Sequence, residues 1–273
     1  MKRSNRLVAL TNHFLENPGA HIPLSYFVTN YHAAKSSISE DLTIIDEMLK
    51  HEGVGYLQRL PGATGGVQYI PKYRKEKSFT FIDQLCQKLE EPSRILPGGY
   101  LYMSDILGDP NMVREIGHIF ASRFASLEVD VVMTVATKGI PLAYAVASYL
   151  NVPVVIVRRD PKVTEGSSVS INYVSGSSRK IQTMVLPKRS LKEDANVCIV
   201  DDFMKAGGTI NGMMNLLEEF NAKVCAIGVL AEADDEEDER VVENYTSLIK
   251  IKNVNMNKNY IEVVRGNFHD DGE

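Results

Sequence analysis

Hydrophobic residues in this chain change period along its length, and each change marks an element. Over residues 5–16, Leu7, Val8, Leu10, Phe14 and Leu15 recur near the 3.6-residue spacing of a helix, which Asn17-Pro18-Gly19 then stops. A second short helix is expected after Pro23, with Leu24, Phe27 and Val28 on one side and Tyr31 near its end. A third starts around residues 36–39 and passes through Leu42, Ile45, Met48 and Leu49 to Gly53, with Ser37 and Glu40 spaced as a capping box. Two short apolar runs, 54–60 and 67–70, flank a glycine-rich loop and read as a β-hairpin. Three helices followed by a hairpin describe a winged helix-turn-helix, whose third helix enters a DNA groove.

A charged, proline-led stretch at 71–77 then separates this segment from a different pattern. Phe81, Ile82, Leu85, Cys86 and Leu89 predict an amphipathic helix over 79–89, broken at Pro92 and Pro97, and a long helix is expected over 110–126. Beyond it, continuous apolar runs at 131–135, 154–157, 197–200 and 224–230 alternate with helical patterns, including one at 140–150. Strands buried on both faces and separated by helices imply right-handed crossovers and an α/β fold: a doubly wound, mostly parallel sheet. The domains are therefore expected at 1–74 and 75–273. Between 162 and 186 a Ser- and Gly-rich stretch alternates at Val169, Ile171 and Tyr173 and again at Ile181, Thr183 and Val185, which suggests a mobile hairpin. The acidic run 232–239 reads as a solvated helix start and the tail after Gly266 as frayed.

The candidate chemistry is concentrated at the third of these strands. Val197-Cys198-Ile199-Val200 runs into Asp201-Asp202-Phe203-Met204-Lys205-Ala206-Gly207-Gly208-Thr209, where Thr209 opens an amphipathic segment. Glycines let the chain turn and aim backbone N–H groups at one spot beside the positive end of a helix, which suits a phosphate. The adjacent carboxylates suit two neighbouring sugar hydroxyls. Thr137-Lys138-Gly139, after the first strand, places a second set of N–H groups and an ammonium at the same sheet edge; Arg158 and Arg159 close the second strand there.

The block resembles the signature of the type I phosphoribosyltransferase family. That resemblance implies that Asp201 and Asp202 bind the ribose hydroxyls of phosphoribosyl pyrophosphate (PRPP), that the turn from Lys205 to Thr209 wraps its 5′-phosphate, and that the hairpin at 162–186 is a lid. Active transferases place small or hydroxylated residues where this chain has Met204, Lys205 and Ala206, a departure that bears on catalysis more than on binding.

Charge and cysteine content narrow the setting. The net charge is −5, yet residues 1–77 hold 10 Lys and Arg against 7 Asp and Glu, while the remainder holds 20 against 28. The amino-terminal segment is thus the part suited to an anionic partner. Lys35, Ser36, Ser37, Ser39 and Glu40 at the start of the third helix are the expected base- or phosphate-facing positions, with Lys2, Arg3 and Arg6 on the backbone and Arg59 in the flanking groove. Cys86, Cys198 and Cys225 are far apart and odd in number, as buried thiols of a cytoplasmic protein are. No histidine has metal-ligand spacing, no apolar run approaches a membrane span, and the basic start is interrupted by Asn12 and His13, unlike a signal peptide.

Taken end to end, with the winged helix and the 201–209 block carrying the match, the chain is similar to the purine operon repressor family of low-GC Gram-positive bacteria. The resemblance implies a homodimeric, non-enzymatic, cytoplasmic repressor of purine biosynthesis genes that binds a double-stranded DNA operator and is released by PRPP. Mg²⁺ accompanies that ligand, no cofactor is tightly bound, and guanosine tetraphosphate competes for the pocket. Tyr102 and Arg179 are then expected to border the pocket beside Phe203. The alternative is an active purine phosphoribosyltransferase with an accessory amino-terminal domain.

Overall fold

The computed structural model describes residues 1–62, 65–97, 100–160, 166–174, 181–234, 240–256 and 258–269. The amphipathic segments of the amino-terminal part form α1 (Arg3–Glu16), α2 (Leu24–Tyr31) and α3 (Lys35–Glu52), which turn Leu10, Phe14, Phe27, Ile38, Leu42 and Ile45 into one small core. The hairpin of β2 (Gly55–Leu60) and β3 (Gly66–Pro71) closes that core, and β1 (Ile22–Pro23) adds a third antiparallel strand beside β3. Two details depart from expectation. The strand β1 has only two residues, too few for any period to show. The helix α3 starts at Lys35, and its N-cap is Ala34 with no side-chain bond, so Ser37 and Glu40 form no capping box. His32 in the left-handed region (φ 49) reverses the chain after α2, and this turn, rather than a polar cap, sets where α3 begins.

After Pro71 the chain enters α4 (Lys75–Leu89), one turn earlier than its apolar stripe indicates, and then a small hairpin of β4 (Ile95–Leu96) and β5 (Tyr100–Leu101). The short α5 (Ser104–Gly108) leads to α6 (Pro110–Phe124), whose first turn is capped by Asp109 accepting from the N–H groups of Asn111 and Met112. The α/β alternation follows as β6 (Val131–Val135), α7 (Ile140–Leu150), β7 (Val154–Val157), the hairpin β8 (Ser168–Val174) with β9 (Ile181–Pro187), β10 (Asn196–Met204), α8 (Gly208–Glu218), β11 (Lys223–Ala233), β12 (Thr246–Asn255) and β13 (Tyr260–Arg265).

The central sheet has the order β13-β12-β11-β10-β6-β7, parallel throughout except for β13 at one edge. Its strands are apolar on both faces because both are covered. Cys198 and Val200 face a core shared with α4, α6 and α7, while Val197 and Ile199 face a second core made with α8 and the β8–β9 hairpin. The strands β12 and β13 escape the periodic reading because charged and polar residues (Lys250, Lys252, Asn253, Glu262) interrupt their apolar runs. Cys86 and Cys198 are buried and Cys225 half-buried, all as free thiols. No helix among the described residues is long and apolar enough to cross a membrane.

This order fixes where a ligand can sit. From β6 the chain crosses outward to β7, whereas β10 lies on the other side of β6 and the chain proceeds from it to β11. The two crossovers leave on opposite sides, so a crevice opens at the carboxyl ends of β6 and β10.

Candidate functional site

Both phosphate-like motifs meet at that crevice. Residues Thr137 and Lys138 follow β6, while Asp201, Asp202, Phe203, Lys205 and Thr209 come from the end of β10 and the turn beyond it. Together with Arg158 and Arg159 after β7 they line a cleft of about 1070 Å³. The strand β10 runs through Met204 rather than ending at Val200, so the acidic pair is held by sheet hydrogen bonds to β11 instead of sitting in a loose turn.

Asp201 is only 4 % exposed, and its Oδ1 accepts the Asp202 N–H at 3.0 Å. Burial pushes its carboxyl well above the usual carboxylate range, and the neighbouring Asp202 charge adds to the effect. Burial also raises Asp202, held back by its bond to Asp201 and by the Lys138 ammonium. Two buried carboxyls side by side resist double ionisation. Hydroxyl donors of a ligand would relieve that cost by bonding to the charged forms.

Gly139 explains how the loop reaches this pair. A Cβ there would lie 2.2 Å from Thr134 Oγ1 and 2.8 Å from Asp201 Oδ1, so only glycine lets the backbone approach. Gly139 is also the N-cap of α7, where the Ile140 N–H donates to the Thr137 carbonyl at 3.3 Å and Pro141 has no N–H, so the anion-binding capacity here comes from the Lys138 ammonium and the positive end of the helix dipole. The Ala136–Thr137 peptide is cis.

Past the acidic pair, residues 203–210 wrap a separate hollow of about 50 Å³, room for one small anion. Gly207 makes the sharp turn with φ +86 and caps α8. Met204 contributes backbone here, since its side chain is buried in the core on the α8 face, whereas Ala206, Gly207 and Gly208 line the hollow directly.

Two expected pocket residues stand apart. Tyr102 is exposed and does not line the cleft, whose rim on that side is Leu96, Pro97 and Tyr100. The short β4–β5 hairpin swings Tyr100 rather than Tyr102 toward the cleft, an orientation no period predicts. Arg179 lies outside the described residues, as do 162–165 and 175–180 of the expected lid. The described part of that hairpin packs through Tyr173, Met184 and Leu186, while Val174 and Ile181 are exposed. Tyr173 is 7 % exposed and seats on Gly212 of α8, where a Cβ would come within 2.9 Å of its ring. Tyr173 also lines the cleft, a position the alternation of residues 169–173 marked only as strand.

On the amino-terminal unit, Lys35 and Ser36 are exposed at the start of α3, with Ser37 and Ser39 half-buried and Glu40 exposed. Arg59 of β2 donates to Ser39 Oγ and carbonyl, both at 3.1 Å, and to Thr43 Oγ1 at 2.8 Å, which pins the wing to α3. Lys2 is exposed before α1, and Arg3 bridges Asp41 at 2.9 Å and Glu40 at 3.5 Å. Arg6 corrects the expectation of a phosphate contact. It is buried and ion-paired with the fully buried Asp41, because a carboxylate in that core needs a counter-charge.

The profile described as "Bacterial purine repressor, N-terminal" matches residues 2–71, and that of the "Phosphoribosyl transferase domain" matches 103–263. The purine biosynthesis transcriptional repressor PurR of Bacillus subtilis is 61 % identical over 267 residues, covering 98 % of this chain and 93 % of the relative. A purine biosynthesis transcriptional activator PurR of Lactococcus lactis is 46 % identical over 271 residues, 99 % of this chain and 100 % of its own. Among solved structures, the adenine phosphoribosyltransferase of Thermoanaerobacter pseudethanolicus superposes with a TM-score of 0.53 at 21 % identity, over 61 % of this chain and 98 % of that one, a likeness of fold. A winged helix built to meet DNA, joined to a phosphoribosyltransferase-like sheet and alike end to end to these regulators, places the chain in the family of bacterial purine biosynthesis transcriptional regulators.

Proposed function

We propose that the chain is a repressor whose grip on its operator is loosened by PRPP. The observation that carries the reading is the pairing, in one crevice, of a buried acidic pair with a glycine-walled hollow and a lysine-bearing helix-start loop. A ribose bearing a 5′-phosphate and a 1-diphosphate needs that set: acceptors for hydroxyls between two anion sites. In this reading Asp201 and Asp202 hold the ribose, residues 205–209 the 5′-phosphate, and Thr137, Lys138 and Gly139 the diphosphate, whose counter-ion is Mg²⁺. Arg158 and Arg159 add positive charge at the far wall. Guanosine tetraphosphate, with its two diphosphates, competes for the same cations. Residues 1–74 read DNA as half of a homodimer, as the two-fold symmetry of operators requires, and 75–273 sense the ligand. The sign of regulation follows the more similar relative, a repressor, rather than the activator.

Binding of a labelled purine-operon control duplex, measured with and without Mg²⁺–PRPP, tests this. Weaker DNA binding with PRPP, restored by guanosine tetraphosphate, is expected; DNA affinity indifferent to PRPP would overturn it. The acidic pair and hollow would serve a transferase equally well. Incubation with PRPP, Mg²⁺ and each purine base therefore accompanies the test, with no nucleotide formed at enzymatic turnover as the expected result.

A further inference from the structure

The helix α7 has one end in the cleft and the other at the DNA-binding unit. It opens on Gly139, directly after Thr137 and Lys138, and closes with Tyr149 and Leu150. Eleven residues make a rod of roughly 16 Å. Along that rod α7 lies tight against α6: a Cβ on Gly117 would come within 2.5 Å of Ala145 Cβ, so the two helix backbones pack in direct contact.

At the far end the contacts become aromatic. Tyr149 stacks on His118 of α6 with centroids 4.4 Å apart and planes at 10°, and Tyr73 meets the other edge of that imidazole at 5.0 Å and 88°. Tyr73 is held in turn by its N–H donating to Ser122 Oγ at 2.8 Å and its hydroxyl donating to Glu115. His118 is 9 % exposed and its Nε2 has no hydrogen-bond partner. Burial keeps the ring neutral, so it packs as an aromatic plate.

The same cluster reaches into the winged helix. The carbonyl of Val54, just before β2, lies beside His118 and also accepts the hydroxyl of Tyr69 in β3 at 2.6 Å. Tyr69 is itself pushed up to about 12, first by burial and then by the nearby Tyr149. The carbonyl of Leu150 sits 3.3 Å from where a Cβ on Gly19 would be, so the end of α7 also rests on the turn after α1. The other helix that opens on the cleft, α8, packs instead on β8, β9, β10 and β11.

We propose that α7 is the strut that carries ligand occupancy to the DNA-binding unit, and that Tyr149 is the positioning residue at its joint with His118 and Tyr69. The proposal rests on the reading that the diphosphate of PRPP occupies the 137–139 loop. An anion there draws the positive end of α7 toward it. The paired helices transmit a shift along their length, and the stacked rings allow two registers rather than a continuum. Coupling then equals the difference in ligand affinity between those registers.

The test uses the full chain with Tyr149→Ala, and with Tyr149→Leu, which fills the same space without a ring should the alanine variant fail to fold. Titration calorimetry reads Mg²⁺–PRPP affinity directly, and fluorescence anisotropy reads affinity for the control duplex with and without PRPP. Wild type is expected to lose DNA affinity by about 5–150-fold, the ordinary range of allosteric coupling. The ringless variants are expected to bind PRPP within about twofold of wild type yet to change DNA affinity by less than about twofold, while Tyr149→Phe keeps the full response. Wild-type release by PRPP, with ringless variants released just as fully, would overturn the strut. Wild type that binds no PRPP would instead defeat the ligand reading on which it rests.

Discussion

Asp201 is a residue kept at a cost to the fold. Its carboxyl is raised by burial, so its stabilising contribution is present below the usual carboxylate range and is lost as pH rises through the raised value. At neutral pH it destabilises, and Asp201→Asn is expected to raise Tm by about 2–4 °C for each kcal/mol relieved, with the difference from wild type vanishing near pH 4. The same variant should no longer respond to PRPP in the anisotropy assay. A Tm at pH 7 equal to or below wild type would mean that burial is not the dominant influence on this carboxyl. Asp105 has the opposite sign. Its two oxygens accept from Arg94 at 2.8 Å each, and that bond holds its carboxyl down at about 2. Its contribution is therefore present above the ordinary carboxylate range and lost as pH falls toward that value. Urea midpoints of wild type and Asp105→Asn should differ at pH 7 and converge at the acid end.

At the scale of elements, the turn between β10 and α8 and the start of α3 each depend on one local feature. Gly207 sits at φ +86 with Val242 Cγ2 3.0 Å from the position of a Cβ. Gly207→Val places a β-branched residue in the left-handed region, at about 1–2 kcal/mol, and against Val242, which displaces the turn that wraps the hollow. Calorimetry should show PRPP affinity reduced about tenfold or more, with ligand-free DNA binding unchanged. On α3, Lys35→Ala should weaken binding across all duplexes and reduce the slope of log affinity against log salt by about 1. Arg6→Ala should behave differently because Asp41 would be left buried with Arg3 alone. Its signature is lost stability, roughly 3 kcal/mol for a broken buried pair, visible in denaturant melts without DNA. A salt-slope change with normal stability would restore Arg6 to the phosphate contacts.

At the scale of the whole molecule, regulation requires the cleft and the winged helix to exchange free energy across their shared boundary. That boundary is built from the buried His118 imidazole with Tyr73 and Tyr149 packed on it, and from Tyr69 held to the neighbouring Val54 carbonyl, rather than from a flexible tether. Packed rings resist partial displacement, so an all-or-none shift between two arrangements is the physical expectation. On the proposed reading, with PRPP as the ligand of the cleft, the operator duplex should weaken PRPP binding by the same factor that PRPP weakens DNA binding. Calorimetry of PRPP into the preformed protein–DNA complex checks this: weaker PRPP binding than to the free protein is expected, and equal affinity would mean that cleft and winged helix are uncoupled.

Local order was legible in the chain wherever one period or one ordered string decided it. The strands at 131–135 and 154–157 and the helix at 140–150 are found at the expected residues because burial on both faces demands unbroken apolar runs, and a helix covering a sheet demands a stripe. The 201–209 string marked the acidic pair and the glycine turn because few other arrangements of those residue types make chemical sense. What neighbours do to a residue was not legible. The strand β12 and the edge strand β13 pack Ile249, Ile251, Ile261 and Val263 into the core with α4 while Lys252 and Asn253 stay exposed, a mixture that shows no single period; Tyr100 rather than Tyr102 reaches the cleft because of a hairpin's orientation; and Arg6 turned inward because Asp41 did. A side chain's partners across 35 residues of sequence, or a strut joining two sites, exist only once the chain has closed on itself, since charge pairing and ring stacking depend on distance in space and leave no period along the sequence.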